Sequence, residues 1–89
     1  MDNTYKKAEL LYHTIPDYIK EDLFEAMSWA KTTLTELEGD GHHFDVFAQE
    51  GEVGCCFAKP EWGGDHCGRP MESAAEAVVM AVCEYLSGC

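Results

Sequence analysis

Apolar residues recur at Ile19, Leu23, Met27, Ala30, Leu34 and Leu37, at spacings of four, four, three, four and three. That rhythm is the 3.6-residue period of a helix burying one face, and Gly39 closes it, so the spacing predicts a long helix over residues 17–38. Residues 5–12 predict a short helical preface with Ala8, Leu11 and Tyr12 turned toward a core. Ile15-Pro16 interrupts the two, because proline disfavours helix in the residue before it and itself fits a first helical position. Thr14 and Asp17 stand at capping-box spacing.

Beyond Gly39 the period changes to two. The runs 43–49 and 52–58 alternate apolar and mixed side chains around Glu50-Gly51. If those two residues close the turn, Ala48 faces Val53, Val46 faces Cys55 and Phe44 faces Phe57, which puts all six on one side. Residues 59–70 predict a glycine-rich loop whose only large or reactive members are Trp62 and Cys67. Ser73 and Glu76 then form a capping box that opens a last helix over residues 73–86. Its inner stripe is Ala74, Ala77, Val78, Ala81, Val82 and Tyr85.

Val79, Met80, Cys83 and Leu86 widen that stripe until the helix is apolar nearly all round, and such a helix is buried on more than one side. Two arrangements satisfy it. A homodimer would cover Val79, Met80, Cys83 and Leu86 with a second copy; alternatively, the long helix and the preface flank the last helix within one chain. The fold class expected is α+β, a single domain over residues 1–89. Both helices should pack on one face of a two-stranded antiparallel hairpin, in the order α-α-β-β-α, because a lone hairpin is marginal in water.

Charge narrows the function. Seventeen acidic residues against six basic ones give a formal net charge of -11 over 89 residues. A phosphate backbone or an anionic membrane is repelled by such a chain, whereas a protein with a basic surface is attracted. No apolar stretch approaches the roughly 20 residues that span a bilayer, and no basic-then-apolar leader opens the chain, so a cytoplasmic protein is expected. The five cysteines are odd in number, which favours reduced thiols over a disulfide framework.

His42, His43, Cys55, Cys56, His66 and Cys67 invite a metal reading, but zinc ligands usually come in C-x-x-C or H-x₃₋₅-H pairs, and neither spacing occurs. Only the set His43, Cys56, His66 and Cys67 stays open. No cofactor is expected. His66-Cys67 offers a base beside a thiol, yet sequence neighbours in a loop seldom have nucleophilic geometry, so a non-enzymatic protein is expected. A different pattern points to binding: Tyr18, Glu25 and Trp29 share the side of the long helix away from its core stripe, with Asp22 nearby and Glu36 two turns on. Aromatics beside acids are a common interface composition. The competing use of Tyr18 and Trp29 is as a seat for the preface.

Three stretches carry a family resemblance: Ala26-Met-Ser-Trp-Ala-Lys-Thr-Thr-Leu-Thr-Glu-Leu37, the run from His43 to Ala58, and Glu72-Ser-Ala-Ala-Glu-Ala-Val-Val-Met-Ala-Val82. A helix, two short strands with aromatic alternation, a glycine-containing loop and a terminal helix with a small cap resemble, in this order, the phage ABA-sandwich family of small phage-encoded domains. The resemblance implies a bacteriophage or prophage origin and a host bacterial cytoplasm, and brings no activity with it. Joined to the charge, it leads us to expect a protein-binding module that inhibits or modulates a host nucleic-acid-handling complex, of the anti-CRISPR or anti-restriction kind. The alternatives are a small zinc-binding or thiol regulatory protein and a structural homodimer unit of phage origin.

Overall fold

Seven elements follow one another in the computed structural model, which describes residues 3–88. They are α1 (Asn3–Thr14), α2 (Asp17–Lys20), α3 (Leu23–Glu38), β1 (His43–Gln49), β2 (Glu52–Ala58), β3 (His66–Cys67) and α4 (Ala74–Leu86). The class is α+β, with helices on an antiparallel sheet. That sheet has three strands in the order β1-β2-β3, not the expected two.

The helix expected over residues 17–38 is broken. Lys20 ends the single turn of α2, and Asp22, extended at its own backbone, starts a new helix by accepting hydrogen bonds from the N–H groups of Phe24 (2.8 Å) and Glu25 (3.2 Å). The break shifts the helical phase, so the buried line on α3 is Ala26, Ala30 and Leu34, joined by Ile19 of α2. Leu23 and Leu37, placed in the core by the unbroken stripe, are exposed instead. The Thr14–Asp17 box does not form either. Thr14 donates its hydroxyl back to the Leu11 carbonyl at 2.6 Å, and Pro16 enters α2 without a side-chain cap.

The hairpin adopts the expected register, with Phe44 opposite Phe57, Val46 opposite Cys55 and Ala48 opposite Val53. Glu50 and Gly51 both take positive φ (50° and 83°), as a two-residue turn requires to match the twist of its strands. After β2 the chain does not stay a loop. His66 and Cys67 pair with Phe57 and Cys56, and Met71 exchanges two 2.8 Å backbone hydrogen bonds with Val53. Gly68 permits this return: a Cβ there would sit 2.5 Å from the Ala81 Cα, so the strand runs directly against the backbone of α4. Two residues of pairing, only one of them apolar in character, left no periodic trace in the sequence.

The last helix is the centre of the molecule. Ser73 caps it, accepting from the Glu76 N–H at 3.3 Å and donating its hydroxyl to the Glu76 carboxylate at 2.9 Å. α1 packs on α4 from one side, α3 from another and the sheet from a third, while the α3 backbone stays away from the strands among the described residues. Val79, Met80 and Cys83 are therefore fully enclosed within one chain. This corrects the homodimer face: of its four residues, Leu86 alone remains on the surface. The expectation that both helices cover the hairpin is corrected too. α4 covers β2, burying Cys55 and Phe57, while Val46 on the same face of β1 stays 39% exposed.

Candidate functional site

Tyr18, Glu25, Trp29 and Glu36 line one shallow groove of about 430 Å³ where α2 meets the outer flank of α3, and Ser28, Thr32 and Thr33 complete its wall. Glu25, Trp29 and Glu36 share a flank because they lie four and seven residues apart on a helix. The one-turn α2, set against α3 by buried Ile19, then brings Tyr18 beside them. Asp22 belongs to the helix end instead, since its carboxylate is spent on capping α3.

α1 does not cover this groove. It lies on α4 and contributes no lining residue to the groove, and Tyr18 is 61% exposed. Trp29 is divided, one part packed on the core and one part open. No lysine or arginine pairs with Glu25 or Glu36 among the described residues; Lys20 pairs with Asp17, Lys59 with Glu61, and Arg69 with Glu9 and Glu84. The groove thus presents two aromatic rings between uncompensated carboxylates, an arrangement suited to lysine and arginine side chains.

The metal set is not assembled. Cys56 and Cys67 face each other across β2 and β3 and are joined as a disulfide, which corrects the expectation of reduced thiols for these two. Cys55 and Cys83 are free and buried, and Cys89 lies outside the described residues. His66 points to the opposite face from Cys67, as strand alternation demands, with its Nε2 3.1 Å from the Ala81 carbonyl of α4. Among the described residues no group of three or more His, Cys, Asp or Glu side chains is placed to hold a metal. His66 and Cys67 point to opposite faces and Cys67 is bonded to Cys56, so the two do not form a base–thiol dyad. Burial pushes the Cys55 and Cys83 thiols up to about 12, far from a reactive thiolate.

A second cluster escaped the sequence. Phe57 packs against Phe44, Trp62, His66 and Tyr85 with ring centroids 5.2–6.1 Å apart, and closes the end of the core where α3 and α4 stop. Glu38 ties this end together: Tyr85 donates to its Oε1 at 2.6 Å, His42 Nε2 lies 2.6 Å from its Oε2, and Lys59 donates to its backbone carbonyl at 2.8 Å. Burial pushes the Glu38 carboxyl up, but the hydrogen bonds from Tyr85 and His42 and the charge of nearby Lys59 outweigh it and hold the group below the ordinary range. A depressed carboxyl stabilises the fold above its unfolded pKa and loses that contribution as pH falls through its folded value. Thermal melts should therefore show the wild type losing stability as pH falls from about 5 to below the ordinary carboxylate value of about 4, and Glu38→Gln losing less over that interval; parallel losses would disprove the role given to Glu38.

One further surface was misread. Leu23, Phe24, Met27, Ser28 and Lys31 line an open apolar cleft of about 530 Å³ on the other flank of α3. The unbroken stripe places Leu23 and Met27 in the core; Met27 does pack against it while also lining the cleft, and Leu23 is exposed. No helix among the described residues is long and apolar enough to cross a membrane. Compared with protein-family profiles, curated proteins and solved structures, the chain matches none.

Proposed function

We propose that this protein is a non-enzymatic binding module that docks on a basic protein surface through the α2–α3 groove. The observation that carries the proposal is the groove itself: Tyr18 and Trp29 line it together with Glu25 and Glu36, no residue of α1 enters its wall, and neither carboxylate is ion-paired among the described residues. Proteins that handle nucleic acid are the partner class we infer, because a carboxylate surface on a chain of charge -11 can occupy ground shaped for phosphate. Occupation of that ground would inhibit or modulate the partner, as an anti-restriction or anti-CRISPR protein does. A phage origin and a bacterial cytoplasmic setting belong to this proposal and rest on the resemblance to the phage ABA-sandwich family. In a reducing cytoplasm the Cys56–Cys67 pair is expected as a dithiol. The segment after Ala58 then keeps the His66–Ala81, Arg69–Glu84 and Val53–Met71 contacts as anchors.

The test is capture from a bacterial lysate on immobilised wild type, on Tyr18→Ala and on Glu25→Lys/Glu36→Lys, followed by stepwise salt elution. A basic protein retained by the wild type, released by salt and missing from both variants is the expected result. Equal retention by all three baits would refute the groove. A thiol regulatory protein is a second reading, favoured by the Cys56–Cys67 bridge with Cys67 on the surface. It predicts that capture differs between reduced and oxidised bait, whereas the groove predicts no difference.

A further inference from the structure

β1 is an uncovered edge, and the direction of its free backbone groups follows from the ladder. In an antiparallel strand the N–H and C=O of one residue point to the same side, and successive residues alternate sides. Val53 exchanges both of its groups with Met71, and the Cys55 carbonyl accepts from the Gly68 N–H at 3.1 Å. The odd-numbered residues of β2 therefore serve β3 and the segment after it, and Glu52, Gly54, Cys56 and Ala58 serve β1. Their partners in register are Gln49, Phe47, Asp45 and His43. Phe44, Val46 and Ala48 consequently aim their N–H and C=O groups away from the sheet, and none of these groups has an intramolecular partner among the described residues.

Such an edge usually carries a lysine, a proline, a bulge or a cover, because open N–H and C=O groups recruit another strand. β1 has none of the first three. Its seven residues contain no lysine or proline, and its register runs unbroken from His43 opposite Ala58 to Gln49 opposite Glu52. Apolar side chains offer grip on both faces, with Val46 toward the helices and Phe47 on the outer side, both about 40% exposed. Charge selects the occupant. Between Lys31 and Lys59 there is no lysine or arginine, while Glu36, Glu38, Asp40, Asp45, Glu50 and Glu52 all fall in that interval, and of these Glu38 is already engaged by His42.

We propose that β1 is a docking edge for an extended basic segment of another protein, which adds to the sheet as a fourth strand. A second copy of this chain would bring its own Asp45, Glu50 and Glu52 against the same acids, so a partner of opposite charge is the occupant. Residues of the added strand that hydrogen-bond Phe44, Val46 and Ala48 share the inner face with them and are apolar. The alternate residues lie on the outer face beside Asp45 and are basic. The segment thus reads apolar, basic, apolar, basic, and the inference stands independently of the α2–α3 groove.

The probe is an acetylated, amidated heptapeptide alternating valine and lysine, titrated into nitrogen-15-labelled protein. Amide shifts and slowed exchange should concentrate at Phe44, Val46 and Ala48, with the amides of Tyr18, Trp29 and Glu36 unmoved. Methylating the valine nitrogens, which face β1 in this arrangement, should weaken binding by at least about tenfold, whereas methylating the lysine nitrogens should leave it unchanged. Val46→Pro removes one outward N–H without touching the ladder to β2 and should lose the same binding; if that variant misfolds, the methylated peptides on wild type decide alone. The proposal is overturned if the two methylated peptides bind equally, if the shifts centre on the groove, or if the β1 amides broaden with protein concentration before peptide is added, which would mean that a second copy takes the edge.

Discussion

Met80→Glu leaves the protein unfolded in the expected result. Met80 is enclosed in the core cluster formed around α4, so a carboxylate there is cut off from water. The cost exceeds about 4 kcal/mol, comparable to the whole stability of a chain this size at roughly 0.05–0.15 kcal/mol per residue. Met80→Leu, close in volume, should cost less than about 1.5 kcal/mol. Circular dichroism and urea titration of the two variants separate this arrangement from a dimer built on α4, because in the dimer Met80 would face the second copy and Met80→Glu would be a folded monomer.

Arg69→Ala is expected to cost about 3–5 kcal/mol, the range for stranding one member of a buried ion pair. Glu84 is only 3% exposed; its Oε1 accepts from the backbone N–H of residue 69 at 3.0 Å, which alanine retains, whereas its Oε2 accepts from the Arg69 Nε at 2.6 Å and loses both this donor and the compensating charge. The same guanidinium reaches Glu9 of α1 at 3.0 Å through Nη1 and lies 5.1 Å from the centre of the Tyr5 ring, so one side chain fastens the segment after β3 to α4 and α1 together. Removing both charges in Arg69→Met/Glu84→Leu should recover much of the loss, since an apolar pair has no stranded carboxylate. Urea unfolding of the single and double variants provides the measurement, and a loss below about 1 kcal/mol in Arg69→Ala would show that water reaches Glu84.

These two sites mark where the sequence was readable and where it was not. The hairpin was legible down to its register, because a two-residue turn and a period of two leave a single pairing that puts Phe44, Val46, Ala48, Val53, Cys55 and Phe57 on one side. The last helix was legible as an element, and its capping box forms at Ser73 and Glu76. What covers it was not: apolar breadth fixes how many sides are buried and says nothing about whether the neighbours belong to the same chain. Glu84 passed unnoticed inside that apolar run, since only the fold brings Arg69 to it. Asp22 reads in the sequence as an acid beside the groove, yet its short side chain caps α3 and restarts the helix after Lys20. The Cys56–Cys67 bridge depends on a strand of two residues that periodicity cannot register.

The groove stands between these cases. Helical spacing gathers Glu25, Trp29 and Glu36 on one flank, and Tyr18 joins them in one groove through α2 even though the helix is broken. Whether α1 would cover Tyr18 depended on long-range packing that local spacing does not encode. Trp29 also packs on the core, so Trp29→Ala mixes stability with binding. Exposed Tyr18, Glu25 and Glu36 are the cleaner probes.

The most direct measurement is calorimetric titration of the captured basic partner with wild type and with Glu25→Lys/Glu36→Lys, at about 0.05 M and about 0.5 M salt. A wild-type affinity that falls at least about tenfold with added salt, and a charge-reversed variant that melts like the wild type but binds at least about tenfold more weakly at low salt, are the results predicted for a docking groove. Equal affinities for the two proteins at low salt, or a wild-type affinity indifferent to salt, would contradict it.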